Sequence, residues 1–125
     1  MLSIRQEQIA IISEPFLREF EQRVVAHLHR VWPEKCRVFG AEGVAESARE
    51  GIQRARQHGF RTERDVTRFV DVMYACGQNF DTDPTLAWAG AILRDERLRP
   101  PARMDKLYVE LERRAAVTTA QANRT

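Results

Sequence analysis

The chain has 125 residues, 43% of them hydrophobic and 30% charged, which is the size and composition of one folded domain. That composition excludes a disordered or collagen-like chain. Twenty basic and 18 acidic residues leave a net charge of +2, which does not favour a nucleic-acid-binding surface.

The sequence shows no membrane or export signal. No stretch approaches the roughly 20 apolar residues that a transmembrane helix needs. Residues 1–15 contain a short apolar run but neither a leading basic region nor a small-residue cleavage site. We therefore expect a cytoplasmic protein with no membrane partner. Cys36 and Cys76 form no CxxC pair, so free thiols are expected.

Glycine and proline residues divide the sequence into segments, and the longer segments have the apolar period of α-helices. No segment alternates with a period of two, so strands are not expected. A first short helix is predicted over Ser3 to Ile12, with Ser3 as N-cap. Pro15 interrupts the pattern, and Ser13 can cap a second helix.

The second helix is predicted to run to Val31 and to end before Pro33. Its apolar stripe consists of Phe16, Phe20, Val24, Leu28 and Val31. A third helix is predicted over Val44 to His58, followed by Gly59 at its C-terminus. Small residues on its inner stripe, among them Gly51, allow another helix to approach closely.

The fourth helix is predicted to follow Thr62, which is a favourable N-cap before the acidic residues of the first turn. Its segment from Val66 to Cys76 is apolar nearly all round. Such a helix belongs in the middle of a bundle, so we expect Phe69 to be buried there. Gly77 is expected to end the helix.

A fifth helix is predicted to begin at Asp83 and Pro84. A last helix follows Pro100, with Glu110 and Arg114 as an i,i+4 pair on its outer face. Residues 118–125 are small and polar and are expected to fray. The sequence therefore predicts an all-α fold, a single-domain bundle of five to six helices over residues 1–125.

Few residues suggest chemistry. His27 lies on an apolar stripe and could act as a general base or a ligand, although core histidines bonded to a carbonyl or carboxylate are far more common. A zinc site of Cys36 with the three histidines matches no established spacing. Asp81 and Asp83 resemble the start of a calcium loop, but the glycine and the bidentate glutamate are missing. We expect no catalytic residue, no cofactor and no metal.

Large aromatic residues lie near the ends of the predicted helices: Trp32, Phe39, Phe60, Phe80 and Trp88. Most should close the ends of the bundle, but aromatic residues near a polar rim also provide binding energy at protein interfaces. Phe80 and Trp88 are our predicted partner contacts. The alternative for Trp88 is that it fills the core.

Arginines are concentrated in residues 94–103, but acidic residues are interspersed among them. A nucleic-acid-binding protein should instead gather its basic residues on one face. We therefore expect no nucleic-acid partner.

Three stretches of the sequence together resemble a known family. They are Ile4-x-x-Glu7-Gln8 with Phe20-x-x-Arg23-Val24-Val25-Ala26-His27-Leu28 and Trp32-Pro33; Gly51-Ile52, Ala55 and His58-Gly59-Phe60-x-Thr62-Glu63-x-Asp65-Val66-x-x-Phe69-Val70; and Gly77-x-x-Phe80-Asp81-x-Asp83-Pro84-x-x-x-Trp88-Ala89-x-x-Ile92-Leu93-x-Asp95. The pattern covers roughly residues 4–111. It resembles small all-α bacterial proteins encoded in type VI secretion effector and polymorphic-toxin loci.

The resemblance implies a protein partner and no catalytic residues. Some members of such loci resemble co-chaperones that support an effector-specific chaperone, so we expect a non-enzymatic adaptor that binds this chaperone or its effector. The alternative is a cytoplasmic immunity protein that neutralises a cognate toxin. Inhibitors of nuclease toxins often present a strongly acidic surface, which this near-neutral chain lacks. No small-molecule substrate is expected.

Overall fold

The computed structural model describes residues 14–124. Within them the fold is all-α, and no strand is present. The α-helices are α1 (Glu14–Val31), α2 (Pro33–Gln57), α3 (Glu63–Cys76), α4 (Ala87–Leu93) and α5 (Pro100–Arg124), and a short 3-10 helix covers Pro84–Leu86. The prediction of an all-α fold with five to six helices is confirmed. The helix predicted over Ser3 to Ile12 lies outside the described residues.

The chain divides into two compact units, the first ending at Phe80 and the second beginning at Asp81. In the first unit, α2 packs along both α1 and α3, while α1 and α3 share only a few contacts. The core of this unit is formed by Phe20, Val24, Leu28, Val44, Ala48, Ile52, Ala55, Phe60, Val66, Phe69, Val70, Met73 and Phe80. The prediction of one domain over residues 1–125 is not tested by this division and stays a prediction.

Small residues allow α2 to approach α3. An ideal Cβ built on Gly51 would lie 2.8 Å from Cγ2 of Val70 and 2.9 Å from Sδ of Met73, closer than real side chains come. Phe69 of α3 is fully buried, as predicted. Within the first unit, α2 is the helix with the most extensive contacts, since it packs along both α1 and α3, whereas α3 contacts α1 only slightly.

The predicted helix ends are mostly confirmed. The Thr62 side chain accepts a hydrogen bond from the backbone N–H of Asp65 and so caps α3. Gly59 and Gly77 have φ of 96° and 118°, in the left-handed region that favours glycine after a helix. Asp83 caps the 3-10 helix through Thr85, so this segment begins with a 3-10 turn before α4.

In the second unit, α4 packs on α5. The buried residues include Ile92 and Leu93 of α4 and Met104 and Leu107 of α5. The predicted pair of Glu110 with Arg114 is present at 3.3 Å. The backbone of α5 is helical through Arg124, and the frayed tail predicted for residues 118–125 stays a prediction.

Candidate functional site

A groove opens in the first unit between the beginning of α2 and the end of α3. It has a volume of about 310 Å³. Its wall is formed by Glu34, Lys35, Val38, Phe39, Met73, Tyr74, Gly77 and Gln78. We call it the α2–α3 groove. Its wall is largely apolar, and it brings together residues that lie some forty positions apart.

The groove exists because α2 begins earlier than the sequence suggests. Pro33 ends α1, but it also begins α2. It lies in the first turn of α2, where the backbone N–H that proline lacks would have no helical acceptor. The helix is broken at Gly40, which has φ 77° and ψ 166°. Only glycine adopts this conformation readily, so the break separates a short helical segment, residues 33–39, from the rest of α2.

Lys35 connects the 33–39 segment with α3. Its ammonium donates a hydrogen bond to the backbone carbonyl of Tyr74. That carbonyl lies in the last turn of α3, where no helical N–H is left to bond it and where the dipole favours a cation. The same ammonium lies 5.2 Å from the centre of the Trp32 ring. Lys35 thus links the start of α2 to the end of α3.

Tyr74 forms the aromatic floor of the groove. Its ring lies 5.5 Å from that of Phe39 in an edge-to-face arrangement and 6.3 Å from that of Trp32. Its hydroxyl is 2.6 Å from the hydroxyl of Ser47, which itself donates to the carbonyl of Val44. Burial raises the pKa of Tyr74, so the phenol stays neutral at physiological pH.

The outer edge of the groove exposes large apolar side chains. Val38 is 81% exposed and Phe39 is 47% exposed, and both line the groove. Among the described residues, the exposed large hydrophobic side chains are Phe16, Val31, Val38, Phe39, Val109 and Val117. Three of these six lie within residues 31–39. Clustered apolar exposure of this kind marks interaction surfaces, whereas isolated exposed residues do not.

The groove continues along α2 into a more polar depression. This second part is lined by Phe39, Gly43, Glu46, Ser47, Glu50 and Gln78, and it shares Phe39 and Gln78 with the first. Glu50 accepts a hydrogen bond from the side-chain amide of Gln78 at 2.6 Å. The site as a whole is therefore apolar at one end and carries carboxylates at the other.

A polar cluster outside the groove joins α1, α3 and Trp32, which lies between α1 and α2. Nε2 of His27 lies 2.9 and 3.0 Å from the two carboxylate oxygens of Asp71, and Nε1 of Trp32 donates to the same carboxylate at 3.0 Å. The expectation that His27 is bonded to a carbonyl or carboxylate is confirmed. A His–Asp pair could orient a general base, but within residues 14–124 no hydroxyl or thiol is hydrogen-bonded to His27.

The two predicted partner contacts have different environments. Phe80 is 1% exposed and its ring lies 5.1 Å from that of Phe69, so it is a core side chain in this structure. A direct contact between Phe80 and a partner would require this segment to open. Trp88 is half-buried, and the guanidinium of Arg114 stacks on its ring at 4.4 Å. Partner binding by these two residues stays a prediction.

The groove was not among the sequence-based predictions. Phe39 was recognised only as one of several aromatic residues near helix ends, and Val38 was not singled out. The sequence did contain one sign of the groove. Val31, Val38 and Phe39 lie within a short segment next to Pro33 and Gly40, and a segment of this length cannot bury all three side chains.

The other residues considered for chemistry have local roles. Asp83 accepts hydrogen bonds from the backbone and hydroxyl of Thr85, which lowers the pKa of its carboxyl. Both cysteines are free thiols, and burial raises the pKa of each. Across residues 14–124, no three His, Cys, Asp or Glu side chains are grouped to hold a metal ion.

Arginines of the basic stretch at residues 94–103, in the second unit, interact with groups close to them in the chain. Arg97 forms an ion pair with Asp95, and Arg103 donates to the backbone carbonyls of Asp95 and Leu98. Two of the arginines in this stretch are therefore engaged in interactions with the loop before α5.

Comparison of the chain with protein-family models, with curated proteins and with solved structures gives no match. In the described part of the chain, none of the helices combines the length and hydrophobicity required to span a bilayer.

Proposed function

We propose that this chain is a non-enzymatic, cytoplasmic bacterial adaptor that binds and stabilises an effector-specific chaperone, or its effector, in a type VI secretion locus. The α2–α3 groove is the surface that carries the proposal. It exposes Val38 and Phe39 beside the ring of Tyr74, and apolar and aromatic side chains at the centre of a polar rim are typical of protein interfaces. The sequence resemblance supplies the class of partner.

The construction of the groove supports a binding role. The 33–39 segment is held on α3 by Lys35 and by the aromatic contacts of Tyr74, so its apolar side chains are presented on a fixed surface. A preformed surface loses little conformational entropy when a partner binds. An adaptor needs such a surface and needs no nucleophile or metal.

The test is co-expression of the chain with the chaperone and the effector encoded beside it, followed by affinity purification. We expect the chaperone to co-purify and its soluble yield to rise. Val38→Asp should reduce recovery of the chaperone strongly, because a charge would be placed in the apolar part of the interface. The matched control is Val109→Asp, which changes another exposed valine, on α5.

Two results would contradict the proposal. If chaperone and chain purify separately at micromolar concentration, and deletion of the gene leaves chaperone and effector levels unchanged, the adaptor function is wrong. If the toxin domain of the effector is recovered instead and its activity is neutralised, the chain is an immunity protein.

A further inference from the structure

The charge distribution along the α2–α3 groove specifies the chemistry of its occupant. The apolar end contains Val38, Phe39 and Tyr74, and the polar end contains Glu46 and Glu50 of α2. These glutamates are four residues apart, so they lie on one face of the helix, about 6 Å apart along its axis. Glu42, one turn before Glu46, is also exposed on this face.

The carboxylates at the polar end are not neutralised within the described chain. Between residues 14 and 124, Glu46 has no ion-pair partner, and Glu50 is bonded only by the neutral amide of Gln78. Of the arginines that follow on α2, Arg49 pairs with Glu21 of α1. Arg54 donates to the carbonyl of Gln78 and to the Asn79 side chain.

The two cations at the apolar end are likewise engaged. At the apolar end Arg37 and Glu34 form an ion pair, and Lys35 keeps its positive charge because its partner is a neutral carbonyl. At the polar end Glu46 and Glu50 have no ion-pair partner among the described residues. A partner of positive charge at that end would complement these carboxylates.

The geometry favours a helical occupant. No strand is present among residues 14–124, so a partner could not bind there by adding a strand to a sheet edge. A groove between helices instead accepts an amphipathic helix, with anchors at i, i+3 or i+4, and i+7. Basic side chains at i and i+4 of such a helix would match the spacing of Glu46 and Glu50.

We infer that the α2–α3 groove binds an amphipathic helix of the partner protein, with apolar anchors against Val38, Phe39 and Tyr74 and basic side chains opposite Glu46 and Glu50. The inference rests on the proposed function, because it names the chemistry that the partner of the same groove presents.

The first experiment uses a phage-displayed library of unconstrained 16-residue random peptides, selected on the immobilised full chain. Clones that bind the full chain but not Val38→Asp are sequenced. We expect apolar residues at helical spacing, with Lys and Arg enriched about threefold or more over Asp and Glu. A proline-rich or acidic consensus would overturn the inference, and so would the absence of clones that depend on Val38.

The second experiment measures the charge contribution. One selected peptide is labelled with fluorescein, and its binding is followed by fluorescence anisotropy in 50 mM salt. Glu46→Gln with Glu50→Gln should weaken binding by about threefold or more, and the difference should shrink in 0.5 M salt. Glu19→Gln, an exposed change on α1, is the matched control. Equal affinity of the double variant and the control would contradict the inference.

Two further outcomes separate the inference from the proposed function. If the chaperone is lost with Val38→Asp but fully retained by the double glutamate variant in low salt, the adaptor function stands and the charge inference is wrong. If the chaperone is never recovered but the library yields basic amphipathic helices, the inference stands and the proposed function is wrong. A Val38-dependent dimer in size-exclusion chromatography would show that a second copy fills the groove, which would overturn the inference.

Discussion

The hydroxyl oxygens of Tyr74 and Ser47 lie 2.6 Å apart in the interior of the first unit. Because Ser47 donates its own proton to the carbonyl of Val44, the Tyr74 hydroxyl is the donor in this pair. The bond fixes the ring of Tyr74 between α2 and α3. It therefore holds the floor of the α2–α3 groove in place.

The two single substitutions in this pair should have unequal effects. Tyr74→Phe leaves Ser47 bonded to Val44, so we expect a loss of about 1 kcal/mol in the free energy of unfolding. Ser47→Ala leaves the buried Tyr74 hydroxyl without its acceptor, which should cost more, about 1–3 kcal/mol. Urea denaturation measures both. A larger loss for Tyr74→Phe than for Ser47→Ala would contradict the proposed direction of the bond.

Phe69 should be one of the most costly core positions. Its side chain is 0% exposed, and its ring lies 6.0 Å from that of Phe60 and 5.1 Å from that of Phe80. Phe69→Ala should reduce the free energy of unfolding by about 3–5 kcal/mol, because it removes buried surface and leaves a cavity. Val109→Ala, an exposed control, should change it by less than about 0.5 kcal/mol. A loss below about 1 kcal/mol for Phe69→Ala would show that the core is assigned wrongly.

The helix ends were predictable because their signals are local. Thr62 is a favourable N-cap and precedes acidic residues that the helix dipole favours in the first turn. Gly59 and Gly77 stand where the backbone leaves a helix with positive φ. Apolar periodicity also identified Phe20, Val24 and Leu28 as buried residues of α1, but the prediction is wrong for Phe16 and Val31, at the two ends of the same stripe, which are exposed. These features depend on residues a few positions apart, which the sequence displays directly.

The groove depends on information that is not local. The sequence predicts that one helix ends before Pro33 and that the next begins at Val44, although Pro33 and Gly40 both belong to α2. A proline at the first turn and a glycine at a break give the same sequence signal as a linker. Likewise, periodicity placed His27 on an inner face but could not identify Asp71, 44 residues away, as its partner.

The close contact of α2 with α3 can be tested at Gly51. A Cβ there would overlap Val70 and Met73, so Gly51→Ala should cost about 1–3 kcal/mol, offset in part by up to about 1 kcal/mol of helix propensity. In a Val70→Ala background only the contact with the flexible Met73 side chain remains, so a large part of the loss should disappear. Thermal unfolding of the unmodified chain, the two single variants and the double variant gives the coupling free energy between the two positions. Strict additivity would argue against the contact.

The two thiols should react slowly and at different rates. Burial raises the pKa of both, which lowers the fraction of reactive thiolate at neutral pH, and Cys36 is the more buried. We expect iodoacetamide to modify Cys76 before Cys36 in the folded protein, as read by mass spectrometry of peptides. After denaturation without reductant, both should titrate as thiols. Recovery of fewer thiols, or of one zinc ion per chain, would contradict this expectation.

Asp95 is held by Arg97 in the loop before α5. The guanidinium of Arg97 donates from Nε at 2.9 Å and from Nη2 at 3.1 Å to the two carboxylate oxygens, and its backbone N–H donates to the same carboxylate at 3.1 Å. These bonds favour the ionised form of the carboxylate. Mainly through the side-chain hydrogen bond, Arg97 lowers the pKa of Asp95 to about 2.

The pH dependence of this pair follows from the direction of the shift. The pKa of Asp95 is about 2 in the folded chain and about 3.9 when unfolded, so between these values the unfolded state binds more protons. The stabilisation by the pair is therefore complete above about pH 4 and is lost as the pH falls towards 2. A ¹³C NMR titration of the carboxyl should give a midpoint near 2, and Arg97→Ala should raise this midpoint while the backbone N–H keeps it below about 3.9. The same midpoint in both proteins would show that the guanidinium does not hold Asp95 in solution.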